Sequence, residues 1–161
     1  MIGRLHRQLL NLCGLLAGLG LTAIAVATSY DVIARNLVGQ STRGLLDLVE
    51  YGLYATTFLA APWVLRENAH VQVDFVVGAL APRRRRVVEA IANLIGLVVS
   101  LVLLVYSIRV TYAAWAQKSM VLKAISFPEW WIYVVIPFAS TLLVIEFVLR
   151  LWGRVPSHRT D

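Results

Sequence analysis

The sequence predicts an all-α integral membrane protein: four transmembrane helices, N-terminus and C-terminus in the cytoplasm, and a short interfacial helix between helices 2 and 3. Three observations carry this expectation. Four runs free of charged side chains, residues 8–30, 51–65, 90–108 and 130–145, occupy much of the 161 residues. With edge residues added, each approaches the roughly 20 residues that a helix needs to cross a bilayer core. A mean hydropathy of +0.73 and 59% hydrophobic residues exclude an ordinary water-soluble domain. The basic residues, finally, are distributed unevenly between the loops. In lipid a helix satisfies its own N–H and C=O groups, whereas an open strand does not, so the apolar runs are read as helices. No stretch outside them is long enough for a core of its own, and residues 1–161 form a single membrane domain.

The first span covers about 9–33. Arg4 and Arg7 precede it and Ala25-Val26-Ala27 resembles a cleavage site, but the apolar run continues past that point. It is therefore expected to stay as a helix rather than be removed as a signal peptide. Cys13, the one cysteine, can form no internal disulfide and reads as a small packing residue. Asn36, Gly39, Gln40, Ser41 and Gly44 mark a turn. The second span covers about 45–65, with Pro62 bending its inner end.

A longer connection runs from Arg66 to Arg86. Within it Val73, Val76, Val77 and Leu80 recur at i, i+3, i+4 and i+7, one face of a helix over about 72–81. Pro82 stops it, and Arg83, Arg84, Arg85 and Arg86 follow as a basic anchor for anionic headgroups. The third span covers about 87–112 and a polar stretch leads to Phe127. The fourth covers about 128–152. Ser126 is placed to cap it, Pro128 suits its first turn, and Glu129 stands at capping-box spacing. Trp115, Trp130, Trp131 and Tyr133 form an interfacial aromatic belt, and Pro137 is expected to kink the helix.

Orientation follows from the arginines and lysines. One side holds Arg4, Arg7, Arg66, Arg83, Arg84, Arg85, Arg86, Arg150, Arg154 and Arg159; the other holds Arg35, Arg43, Lys118 and Lys123. Ten against four puts both termini inside. The same retention of basic loops accounts for the net charge of +6, and no nucleic-acid motif accompanies it.

Few residues are placed for chemistry. His6, His70 and His158 map to the cytoplasmic edge, where none can ligate a haem between helices. The sequence carries no nucleophile motif, phosphate loop or metal-ligand spacing, so no enzyme and no cofactor is expected. Thr22, Thr28, Thr56, Thr57, Asn93, Ser100, Ser107, Ser140 and Thr141 lie at depth, and such hydroxyls are expected to bond their own helix or a neighbour. Glu50 and Arg109 lie at matching depths and form a candidate inter-helix pair, with Asp47 as the rival acid. Asp31–Arg35, Glu146–Arg150 and Arg85–Glu89 can pair at four-residue spacing. Gly14, Gly18 and Thr22, then Gly52, Thr56 and Ala60, then Ala92, Gly96 and Ser100, place small residues four apart, which lets helices approach closely in lipid or dock a larger partner. A coupling ion would need a charge near the midplane, and those positions are empty of charge. Three classes remain at this point: a scaffold subunit, a dimeric exporter relying on Glu50, and a redox anchor.

The segment Arg66-Glu67-Asn68-Ala69-His70-Val71-Gln72-Val73-Asp74 resembles the R-x-x-x-H-[IV]-x-[VM]-D stretch of the small membrane subunit of TRAP transporters (tripartite ATP-independent periplasmic transporters, DctQ type). Asp47 and Glu50 are similar to that family's acidic pair, and Pro128, Tyr133 and Pro137 to the opening of its last helix. A tryptophan common before the acids is replaced here by Arg43, Gly44, Leu45 and Leu46. The resemblance implies a bacterial inner-membrane importer that uses a Na⁺ gradient to take up organic acids such as C4-dicarboxylates. It implies two partners, a large membrane subunit (DctM type) carrying the substrate and ion sites and a periplasmic substrate-binding protein (DctP type). Arg66, His70 and Asp74 then become candidate interface residues, and the chain itself a scaffold.

Overall fold

The computed structural model describes residues 2–39, 44–67, 82–122 and 126–152. Its elements are α1 (Ile2–Val38), α2 (Leu45–Arg66), α3 (Pro82–Ala116), β1 (Met120–Leu122), β2 (Ser126–Pro128), α4 (Trp130–Tyr133) and α5 (Val135–Leu151). The expected interfacial helix, with His70 and Asp74, lies outside the described residues, as does the tail.

Glycines make the turn between α1 and α2. Gly39 and Gly44 have φ of +71° and +84°, a left-handed backbone that side chains with a Cβ rarely adopt. The chain reverses there, and α2 packs antiparallel to α1 in a steady register. Gly14 faces Trp63, Gly20 faces Thr56, and Ile24 faces Gly52. A Cβ on Gly14 would lie 2.5 Å from the Trp63 ring, and one on Gly20 would lie 2.2 Å from Thr56 Cγ2. The glycines therefore remove the atoms that would hold the two helices apart. Gly96 does the same for α3 against Phe147 of α5. The helices neighbour one another in the order α1, α2, α5, α3, with α5 between α2 and α3. Leu10 and Cys13 of α1, Leu142 of α5 and the half-buried Leu59 of α2 form a small core.

Three segments are long and apolar enough to cross a membrane: His6–Leu37, Val87–Ala116 and Trp130–Leu151. Large apolar side chains stand on the outside, with Val26 65% and Ile95 59% exposed, the reverse of a water-soluble fold. At 22 residues α2 is about 33 Å long, a length that matches the hydrocarbon core. Tyr51, Tyr54, Thr56, Thr57 and Trp63 dilute its hydropathy, as do Asp47 and Glu50 near its start.

The candidate span begins at Val87, and α3 extends back from it to Pro82, taking Arg83, Arg84, Arg85 and Arg86 into its first turns. Proline fits a first helical position, where its missing N–H costs nothing, and arginine is a good helix former. The polar stretch before the last span contains an antiparallel hairpin, Met120 opposite Pro128 and Leu122 opposite Ser126. That pairing removes the expected capping box, because Ser126 and Pro128 belong to a strand. The helix starts at Trp130 behind Glu129, which makes no side-chain cap and instead accepts a hydrogen bond from the Tyr133 hydroxyl at 2.8 Å. Pro137 does interrupt the last span. It has no N–H for the Tyr133 carbonyl, and the helix breaks at Val134 between α4 and α5. α2 stays helical through the buried Pro62.

Candidate functional site

The polar residues that converge do so at one end of the molecule, where α1 begins and α2 and α5 finish. Glu146 projects from α5 and is 1% exposed. A carboxylate so placed must be paired and hydrogen-bonded, since leaving it unsatisfied costs several kcal/mol. Both oxygens are used. His6 Nε2 of α1 lies in hydrogen-bond contact with Oε2 at 3.1 Å, and Arg150 Nε, one turn along α5, donates to Oε1 at 3.3 Å. Arg150 extends the network by donating to the Leu65 carbonyl and to the Arg66 carbonyl at 3.5 Å. These carbonyls end α2, where the helix dipole favours a cation. Arg66 in turn reaches back to α1, donating to Asn11 Oδ1 at 2.8 Å and to the Arg7 carbonyl at 3.4 Å. Three helix ends are thus fastened by one connected set of charges.

Sequence reasoning found the Glu146–Arg150 half of this network and missed His6, which it left as an edge residue. The missed signal was level: His6 and Glu146 stand at the same end of the first and last spans. Asp31 and Arg35 pair within α1 at 2.5 Å, as the four-residue spacing implied. Hydroxyls bond back to their own helices, Thr22 to Gly18, Thr28 to Ile24, Thr57 to Leu53 and Thr141 to Pro137. Ser140 differs: its Oγ is buried with no hydrogen-bond partner among the described residues.

Beyond the fastened end lies an open groove of about 520 Å³ between α2, α3 and α5, bordered by Leu21 of α1. Thr56, Thr57, Ala60, Gly96, Ser100 and Phe147 are among its walls. Among the described residues the walls carry hydroxyls and apolar groups and no ionisable side chain. Glu50 and Arg109 are both exposed, and α2 and α3 each pack on α5. Asp47 is half-buried in the first turn of α2, where a carboxylate suits the helix dipole.

The model of the family described as "Tripartite ATP-independent periplasmic transporters, DctQ component" matches residues 24–157. The chain belongs to that family. It is also 23% identical over 148 residues to the ectoine TRAP transporter small permease protein TeaB of Halomonas elongata, a match covering 92% of this chain and 76% of that protein. This DctQ component is thus a small permease of a TRAP transporter, a multi-pass membrane protein and a non-enzymatic one. The family is tripartite, so such a chain works with DctM-type and DctP-type components.

Among the positions that carried the resemblance, Arg66 joins the helix-end network. His70 and Asp74 fall outside the described residues. Of the small residues, Gly14 and Gly96 pack between helices of this chain, whereas Gly18 has open space before it. Gly20, which the four-residue spacing did not single out, is used against Thr56.

Proposed function

We propose that this DctQ component is a lipid-embedded brace for the large DctM-type subunit of a Na⁺-driven importer of organic acids, and that it holds neither substrate nor coupling ion. In this reading α2 is a fourth crossing, the fastened helix ends lie on the cytoplasmic side, and the hairpin lies outside. The observation that carries the reading is the placement of polar groups. His6, the buried Glu146 and Arg150 bond one another and helix-end carbonyls, while the groove has no ionisable wall among the described residues. A carrier's ion site needs charge or convergent carbonyls near the midplane. The ectoine in TeaB's name belongs to that protein, and a brace would not read the substrate whatever it is.

The test is uptake by cells that express the three components together. Removing this chain should abolish Na⁺-driven organic-acid uptake while the binding protein keeps its affinity for the solute. Full uptake by the DctM-type and DctP-type components alone would overturn the proposal.

A further inference from the structure

Arg109 departs from the pattern set by His6, Glu146 and Arg150. It lies within the candidate span Val87–Ala116, yet it is exposed, and its side chain has no ion pair or hydrogen bond among the described residues. Intramembrane charges ordinarily face a bundle interior and a partner. The helix geometry shows how far Arg109 departs from this. At about 100° per residue, Gly96, Ser100, Ser107 and Ala114 share one face of α3. That face packs inward: Gly96 meets Phe147, and the other three are buried. Ile95, Val98, Val102, Val105, Arg109 and Tyr112 follow one another at spacings of three and four on the opposite face. The five apolar or aromatic members are 49–65% exposed. α3 is also the last helix in the packing order, so nothing else in the described chain covers that side.

We infer that this outward face of α3, keyed by Arg109, is the surface that docks the large membrane subunit, and that Arg109 meets a carboxylate on a membrane helix of that subunit. The inference rests on the brace reading and adds to it the face and the chemistry of the contact. Charge complementarity selects the occupant. A guanidinium aimed away from its own bundle, below the aromatic pair Tyr112 and Trp115, requires an anion at that depth. The alternating spacing of three and four is that of a helix receiving another helix at a shallow angle, with β-branched side chains as the knobs.

The experiment uses the full chain co-expressed with its DctM-type subunit. A photo-crosslinking residue is placed singly at Val98, Val102 and Val105, and for comparison at Leu15 and Leu19, exposed on α1 at the other edge. The α3 positions should give an adduct of the summed mass of the two subunits, and the α1 positions should give several-fold less. Arg109→Glu should lower co-purification of the large subunit at least about tenfold, and Arg109→Lys should retain most of it. Three results overturn the inference: adducts from α1 alone, adducts of this chain with itself, or lipid adducts at α3 with undiminished co-purification of Arg109→Glu. Each leaves the brace reading standing, because the complex still forms. Failure of the wild-type chain to bind the large subunit at all would sink that reading, and the docking face with it.

Discussion

His6 and Glu146 stand 140 positions apart in the chain and 3.1 Å apart in space, and that contact ties the first helix to the last. With Arg150 on the other carboxylate oxygen, it makes Glu146 the centre of the fold's polar fastening. Truncating one member of such a set strands the others. Glu146→Ala should destabilise the chain by about 3–5 kcal/mol, the usual cost of leaving a buried charge uncompensated. Equilibrium unfolding in mixed detergent, by far-UV circular dichroism, reads this out. Combined with His6→Ala, the loss should fall short of the sum by about 0.5–3 kcal/mol. Strictly additive losses would show that the two side chains do not interact.

Arg66 offers a contrast in magnitude. Its bond to Asn11 is exposed, so water replaces it when it is lost. Arg66→Ala should cost no more than about 1 kcal/mol in the same unfolding experiment. A loss as large as that of Glu146→Ala would mean that Arg66, rather than Glu146, holds the helix ends together.

The glycines separate in the same way. A methyl group at Gly14 would meet Trp63 at Cγ, the root of the ring, which cannot swing aside without moving the whole side chain. Gly14→Ala should therefore cost about 1–3 kcal/mol, the range for overpacking. A Cβ on Gly18 would meet no other helix within 4 Å among the described residues, and Gly18→Ala should be neutral or stabilise the isolated chain by up to about 1 kcal/mol. Equal effects at the two positions would contradict the register of α1 on α2.

Cys13 gives a test of packing that needs no substitution. It is 4% exposed in the core shared by α1, α2 and α5. In mild detergent it should react with a maleimide far more slowly than in denaturing detergent, by about two orders of magnitude if opening of the core costs near 3 kcal/mol. Equal rates would place it on the lipid face.

How much of this was legible in the sequence depends on the range of the interactions. The apolar runs located the long helices because lipid imposes one backbone solution on each run independently. Pro137 announced the break at Val134 because a missing N–H acts within one turn. The four-residue spacings gave Asp31–Arg35 and Glu146–Arg150 for the same reason. The hairpin at Met120–Leu122 and Ser126–Pro128 was not legible: three residues per strand are too few to show an alternating period. Nor was the His6–Glu146 contact, which depends on the order in which helices pack. Depth is a property of one helix, and adjacency is a property of the set.

Reconstitution decides whether this subunit shapes another and carries nothing itself. The purified chain in proteoliposomes, under an imposed Na⁺ gradient, should accumulate no labelled organic acid above protein-free vesicles. The same vesicles should take it up once the DctM-type subunit and the loaded DctP-type protein are added. Saturable, gradient-driven uptake by this chain alone would contradict the account.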